Sequence, residues 1–565
     1  MPQRSTKSSN RFLILSFLCF LAAILLGTRP TSSHEPVTTK IRFNKEIVRI
    51  FQDHCLGCHQ PGNNTKVFLH NYAAARPWAR AIKEEVLERH MPPVQAVKGF
   101  GRFEDDYGLT QHEIDQIIAW VDGGTPKGDD KDLPPDQVRT AIKETDDSRI
   151  RLMALRATEE IPAGAERFRI ESSIRMSGDM EAIAIRPRLS PFAQSLEITA
   201  YRPDGTTEVL AWTQDYARER GYDWQPAFYF KEPVRLPKGT RVRAVAYFTN
   251  PSKPLRLRSP LCELSLTPQG RSSHKRQALL ISAPAADVYT CPMHADVMTD
   301  DPGRCPKCAM TLIKTRRPEA ADFDVSLRTR PSIIKPGQTF RLVFNIRHPK
   351  SGATVKDFHF VHEKPFHLFI VSQDLSYFVH LHPRQQADGS FVIETSVPKR
   401  GACFVYSDIF PVGGVPQVAF GNFLTAGYHH DLFSARAVIK PDEVLTRDVE
   451  SMRFALTLEP REPVAGKTLT LKYLITDVKT GQPVRLEPYL GAWGHTLILS
   501  EDARDYVHSH PRKSIASEVD RMMHGNADVS FDAFLPRSGR YRIWSQFQRH
   551  GKVITVPFTI EVKPY

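Results

Sequence analysis

The chain has 565 residues, 41% of them apolar and 25% charged, with 43 prolines, 31 glycines and eight cysteines. That length predicts about three to five domains. The apolar share excludes a disordered polymer, eight cysteines exclude a disulfide-stapled miniprotein, and no run of about 18 apolar residues beyond the N-terminus supports a polytopic membrane protein. Lys plus Arg number 76 against 63 Asp plus Glu, but no basic run of about five or six residues concentrates the surplus, so nucleic acid is not an expected partner. The excess reads as a solvated basic surface suited to acidic protein partners.

In chain order, Arg4, Lys7 and Arg11 precede the apolar stretch Phe12 to Leu26, and Gly27, Thr28 and a Pro/Ser segment follow. Residues 1–33 therefore have the layout of a secretory signal. About fifteen apolar residues are short for a bilayer span, which favours cleavage; a retained segment would anchor the chain to a membrane. Either way the bulk of the chain is expected to be exported, to the periplasm or the outer face of the inner membrane.

Residues 40–127 carry His54-Cys55-Leu56-Gly57-Cys58-His59. C-x-x-C-H is the spacing of covalent c-type haem attachment: two thiols reach the vinyl groups of one porphyrin and the adjacent histidine presents an imidazole to the iron. A redox or zinc C-x-x-C would need a thioredoxin-like setting or a second cysteine pair nearby, and the next cysteine is Cys262. Ile47, Val48, Ile50 and Phe51 place an apolar stripe on a helix entering the motif. Pro77 to Arg89 reads as a second helix with Trp78, Ile82 and Val86 on one face. A third starts at Thr110, whose hydroxyl and Glu113 form a capping-box pair, and Gly123-Gly124 stops it. Met91, in His90-Met91-Pro92-Pro93, is the candidate sixth iron ligand, with His54, His70 and His90 as rivals.

Ala75-Arg76-Pro77-Trp78-Ala79-Arg80-Ala81-Ile82, Met91-Pro92-Pro93 and Ile118-Ala119-Trp120-Val121-Asp122-Gly123-Gly124 resemble bacterial exported c-type cytochrome domains. The resemblance implies that a module similar to copper type II ascorbate-dependent monooxygenases follows. Residues 150–268 alternate in strand fashion, as in Ser195 to Tyr201 and Val242 to Phe248, and resemble the C-terminal jelly-roll-like sandwich of that family. The family's paired copper histidines fall on Arg188 and Ser190, and there is no histidine between Glu113 and Ser273. The expected role is scaffold or docking surface. Met176 and Met180 read as packing residues.

Within 289–314, Cys291-Pro292-Met293-His294 and Cys305-Pro306-Lys307-Cys308 have the spacing of a tetrahedral site, with Cys291, His294, Cys305 and Cys308 as ligands of Zn or Cu. The phrase resembles the heavy-metal-binding domain of bacterial metal-efflux proteins. A disulfide is the competing reading and leaves one thiol unpaired.

The last 240 residues repeat. His367, Asp374, Val379, His380, His382 and Pro383 recur as His495, Asp502, Val507, His508, His510 and Pro511, 128 residues on; Pro398, Gly401, Val405 and Ser407 recur as Pro536, Gly539, Ile543 and Ser545, 138 residues on. Short strands with Pro/Gly turns predict two Ig-like sandwiches, 322–440 and 452–563. In a strand, residues i and i+2 face one side. His380 with His382, and His508 with His510, can thus share a metal that His367 or His495 completes. A hydrogen-bonded histidine cluster that only fixes the turn is the alternative. Asp374 and Asp502 read as turn residues.

The expected architecture is a small all-α cytochrome c domain followed by all-β sandwich domains, with a short metal-binding motif between them. The expected function is one-electron transfer by a covalent haem c to and from a redox partner protein, with soft-metal binding. A copper-dependent monooxygenase or oxidase, and a heavy-metal sequestration or efflux accessory, are the alternatives.

Overall fold

A computed structural model describes residues 39–63, 65–93, 96–104, 108–134, 150–188, 192–214, 227–250, 252–257, 259–270, 287–292, 297–305, 310–316, 323–349, 351–428, 430–512, 515 and 527–564. The proposed signal segment lies outside them. No described helix is long and apolar enough to cross a membrane.

The helical region is small. Helix Val48–His54 leads into the C-x-x-C-H motif, and helix Gln111–Asp122 crosses beneath it. Phe43, Phe51 and Trp120 are fully buried between them, with Phe43 and Trp120 ring centres 5.8 Å apart. Thr110 Oγ1 accepts from Glu113 N at 3.1 Å and Glu113 Oε2 from Thr110 N at 2.7 Å, the reciprocal cap that the sequence predicts. The second helix is shorter than expected: a 3-10 turn, Arg76–Trp78, precedes Ala79–Leu87, and Arg89 turns to φ 60°. Its inward face also differs, because Trp78 is exposed while Ala79, Lys83, Val86 and Leu87 are buried. Lys83 reaches the core rim to bond Asp122 at 2.6 and 2.8 Å.

Residues 96–104 leave the helical region. Ala96 bridges Thr213, Phe103 bridges Phe230, and Phe100 stands 5.1 Å from Trp212 by ring centres. The next module is a β-sandwich of two antiparallel four-stranded sheets. One is ordered Arg151–Leu155, Cys262–Pro268, Met180–Pro187, Phe228–Leu236; the other Ala165–Arg175, Arg241–Asn250, Ala193–Tyr201, Thr207–Gln214. Met176 is buried and Met180 packs on the same core.

Glu197 points out of this sandwich into the first tandem copy. It accepts from Thr199 Oγ1 and from the backbone N–H of Leu432, with Arg243 at 3.9 Å. Burial pushes its carboxyl up from 4.5 to about 7. The folded state therefore holds the proton more tightly, so this group's stabilisation is complete below about pH 4.5 and is lost as pH rises through 7. The full loss is about 3 kcal/mol. Glu197→Gln is expected to match the wild type in thermal unfolding at pH 4.5 and to exceed it at pH 8; equal curves at both would remove Glu197 from the account.

A three-stranded sheet, Met298–Thr299, Asp287–Thr290, Ile313–Arg316, precedes the tandem region. Each tandem copy is a sandwich of two antiparallel four-stranded sheets. In the first copy, Asp324–Arg330, Phe340–Arg347, Phe391–Thr395 and Arg384–Gln385 face Phe378–Leu381, Phe366–Ser372, Ala402–Ile409 and Gln417–Leu424. In the second, Thr446–Val449, Met452–Glu459, Thr468–Asp477 and Asp528–Phe534 face Tyr506–Ser509, His495–Ser500, Gly539–Arg549 and Lys552–Val562. Strand Thr446–Val449 moves the second copy's start upstream of the expected 452, because it supplies the edge of that copy's sheet.

Strand alternation explains how the copies meet. Leu368 and Ile370 fill the first copy's own core, whereas Phe369 and Val371 point out and pack with Leu497, Leu499, Tyr506 and Trp544 of the second. Ile498 faces inward in the second copy. His367 and His495 share the outward faces of these strands, so duplication and docking bring both histidine sets to one interface.

Candidate metal and cofactor sites

Three places hold the residues singled out from the sequence. The first surrounds Cys55, Cys58 and His59. Both cysteines carry free thiols, half-buried at the end of helix Val48–His54. Burial, then Glu113, pushes the Cys55 thiol up to about 12, and burial also raises Cys58. His59 Nδ1 lies 3.0 Å from the Val67 carbonyl, which can only accept. Its proton is therefore on Nδ1, and Nε2 keeps the lone pair a metal needs. The donor set thus fits a porphyrin.

Among the rival ligands, His54 Nε2 is engaged by Glu113 Oε1 at 2.9 Å in a buried pair. Burial opposes ionisation of Glu113, but His54 and the Thr110 N–H hold its carboxyl down to about 2. His90 is paired with Glu85 at 3.4 Å, and His70 packs near Phe68. Met91 is half-buried in the bend after helix Ala79–Leu87.

The second place is the Cys/His motif. Cys291 and Cys305 are buried with Val297 and Leu312 beside the three-stranded sheet. His294 and Cys308 lie outside the described residues. Among the described residues this hydrophobic cluster holds four buried residues with Tyr289 packed against it, a core so small that a bound cation would add much of the folding energy. Cys305→Ala is expected to remove one bound cation per chain and the protease resistance of 287–316; retention of both would leave the motif without a metal role.

The third place is the tandem interface. His367, His380 and His382 have ligand atoms within 4.8 Å of one another. The second set departs from expectation: His495 and His510 are joined at that distance by His362, not by His508. His508 Nδ1 instead bonds Asp408 Oδ2 at 3.0 Å, although its ring lies only 4.4 Å from that of His510. His362 comes from a turn of the first copy at φ 46° and stacks on His510 with ring centres 3.7 Å apart. The repeat could not reveal it, because the position 128 residues on is Leu490.

Burial, then neighbouring imidazoles, holds His362 and His382 down to about 3 and His367 to about 4. His380, His495 and His510 are well below their ordinary value for the same reasons. These rings are neutral at neutral pH, as metal ligands must be. Asp374 accepts from Ser372 and Ser376, and Asp502 from Ser500 and Arg504, as turn residues; Asp502 adds a buried ion-pair role that the sequence did not disclose.

Comparison with curated proteins finds 60% identity over 30 residues with a copper-transporting P-type ATPase of Rhizobium leguminosarum bv. viciae. This match takes in 5% of the chain and spans about 4% of that relative's length. Among solved structures, 44% of the chain aligns with 32% of red sea bream transglutaminase (12% identity, TM-score 0.13). A DUF4785 family protein of Legionella pneumophila aligns over 73% of this chain and 92% of its own (9% identity, TM-score 0.15). A family model described as a domain of unknown function, DUF8832, matches residues 319–423 and 447–564, the two tandem sandwiches. Residues 288–315 match the heavy metal binding domain model, so the chain carries a heavy-metal-binding module.

Proposed function

We propose that this chain is an exported, metal-binding one-electron carrier, with haem c joined through Cys55 and Cys58. The observation that carries the reading is the bond from His59 Nδ1 to the Val67 carbonyl, beside two unpaired thiols. Bound there, a haem iron supplies reversible one-electron chemistry. The chain's own residues do the rest. His59 presents Nε2 in a fixed tautomer, and Val67 keeps the ring from turning. Met91, between helix Ala79–Leu87 and Pro92-Pro93, would offer its neutral thioether to a haem iron bound there. Glu113 keeps His54 occupied and out of competition.

Cys291, His294, Cys305 and Cys308 bind Zn or Cu, in keeping with the heavy-metal-binding match. The N-terminal segment directs export to the periplasm or the outer face of the inner membrane, and the basic surface meets an acidic redox partner protein. The test is spectroelectrochemical titration of the exported protein, with a single one-electron wave expected at the haem bands. A protein without a redox-active chromophore would defeat the proposal.

A further inference from the structure

The seven histidines at the tandem interface do more than fill space. His367 Nε2 lies 2.8 Å from the Val361 carbonyl and must donate its proton there, which leaves Nδ1 bare. His380 Nδ1 lies 2.9 Å from Gln546 Oε1, and donating there leaves Nε2 bare. Gln546 Nε2 lies 3.1 Å from Thr555 Oγ1, to which it can donate. Yet His367 Nδ1 and His380 Nε2 face each other at 3.1 Å. With His380 donating to Gln546, two bare lone pairs at that distance repel unless a cation lies between them. Two nitrogens held about 2.0–2.1 Å from one tetrahedral ion stand about 3.3 Å apart.

The second copy repeats the pattern. His495 Nε2 donates to the Tyr489 carbonyl at 3.0 Å and His508 Nδ1 to Asp408 Oδ2 at 3.0 Å, so His495 Nδ1 and His508 Nε2 are the bare atoms. Both are buried without a partner. So are His362 Nε2, His382 Nε2 and both nitrogens of His510. Each such orphan is costly to leave unpaired, and folded proteins hold few of them. Six in one interface call for an occupant.

We propose that this interface is a two-ion centre for borderline transition metals. One ion is held by His367, His380 and His382. The other is held by His495 and His510 with His362 reaching across from the first copy, and His508 stands beside it as a further nitrogen donor. The ligands are neutral imidazoles without carboxylate or thiolate, a set that suits Cu²⁺ and Zn²⁺ and disfavours Ca²⁺ or Mg²⁺. The orienting groups are exchanged between copies: Gln546 of the second fixes His380, and Asp408 of the first fixes His508. The site is complete only when the copies are docked, so ion binding stabilises the docked state. A cavity of about 480 Å³, lined in part by Phe360, Glu363, Lys364, His380 and His382, opens beside the first set and gives ions a way in.

The test is Cu²⁺ loading of the chelator-stripped full-length chain, with metal analysis and electron paramagnetic resonance. The wild type should bind two coppers whose spectra show nitrogen hyperfine structure from several imidazoles, apart from any sulfur-ligated copper at Cys291–Cys308. His362→Leu, which installs the residue found at the equivalent position 490, should lose one copper and keep the other. His380→Leu should lose the other. Unchanged stoichiometry in both variants would overturn the proposal. So would a wild-type spectrum without multiple nitrogen donors, a reading that needs no variant to fold and that would leave the orphan nitrogens to buried water.

Discussion

Replacing Arg537 with leucine is expected to lower the stability of the second tandem copy by about 3–5 kcal/mol, one of the largest single-residue effects in the chain. Arg537 Nε bonds Asp505 Oδ2 at 2.7 Å, and its terminal nitrogen bonds both oxygens of Asp502 at 2.9 Å. The carboxylates are almost fully buried, with side-chain exposures of 1% for Asp505 and 8% for Asp502. Burial alone would push Asp502 up; Arg537 and Arg504 hold it well below the usual carboxylate range. Removing Arg537 strands both negative charges, and Arg504 and Arg89 repay only part of the cost. Asp505 also binds Arg89 at 3.1 Å, two residues from Met91, so the lesion should loosen the docking of the helical region. Urea titration followed by near-ultraviolet circular dichroism checks this. A shift under about 1 kcal/mol would mean that the network is solvated and of the weak surface kind.

His59→Ala is expected to abolish the low-spin haem spectrum, because the His59 Nδ1–Val67 bond leaves Nε2 open beside the thiols, whereas His54 Nε2 is taken by Glu113. Met91→Ala should keep the haem attached while removing the methionine–iron absorption band and lowering the reduction potential. The two variants separate attachment from axial ligation. A Met91→Ala protein with the wild-type spectrum would transfer the sixth position to His70 or His90.

Part of the fold is legible in the sequence. The Thr110–Glu113 cap is a local pattern, and the structure keeps it. The H-x-H spacing does bring His380 and His382 together with His367, whereas His508 turns to Asp408. What escaped depends on contacts between distant segments. His362 has no counterpart in the second copy, so comparing the copies passed it by, although it completes the second set. Helical spacing places Trp78 on an inward face, but the 3-10 turn at Arg76–Trp78 turns it to solvent. Glu197 sits in an ordinary strand phrase, and only its neighbour Leu432, 235 residues away, reveals it as an interface group. The same is true of residues 96–104, which look like a loop within the helical region and instead bind it to the middle sandwich.

The central claim is covalent haem at the C-x-x-C-H motif. Intact mass spectrometry of the protein, matured in a host competent for cytochrome biogenesis and extracted with acidified acetone, tests it most directly. The expected mass is that of the polypeptide plus one haem, with the haem increment absent in Cys55→Ser/Cys58→Ser. A bare polypeptide mass, or haem that extracts into the acetone, would contradict it.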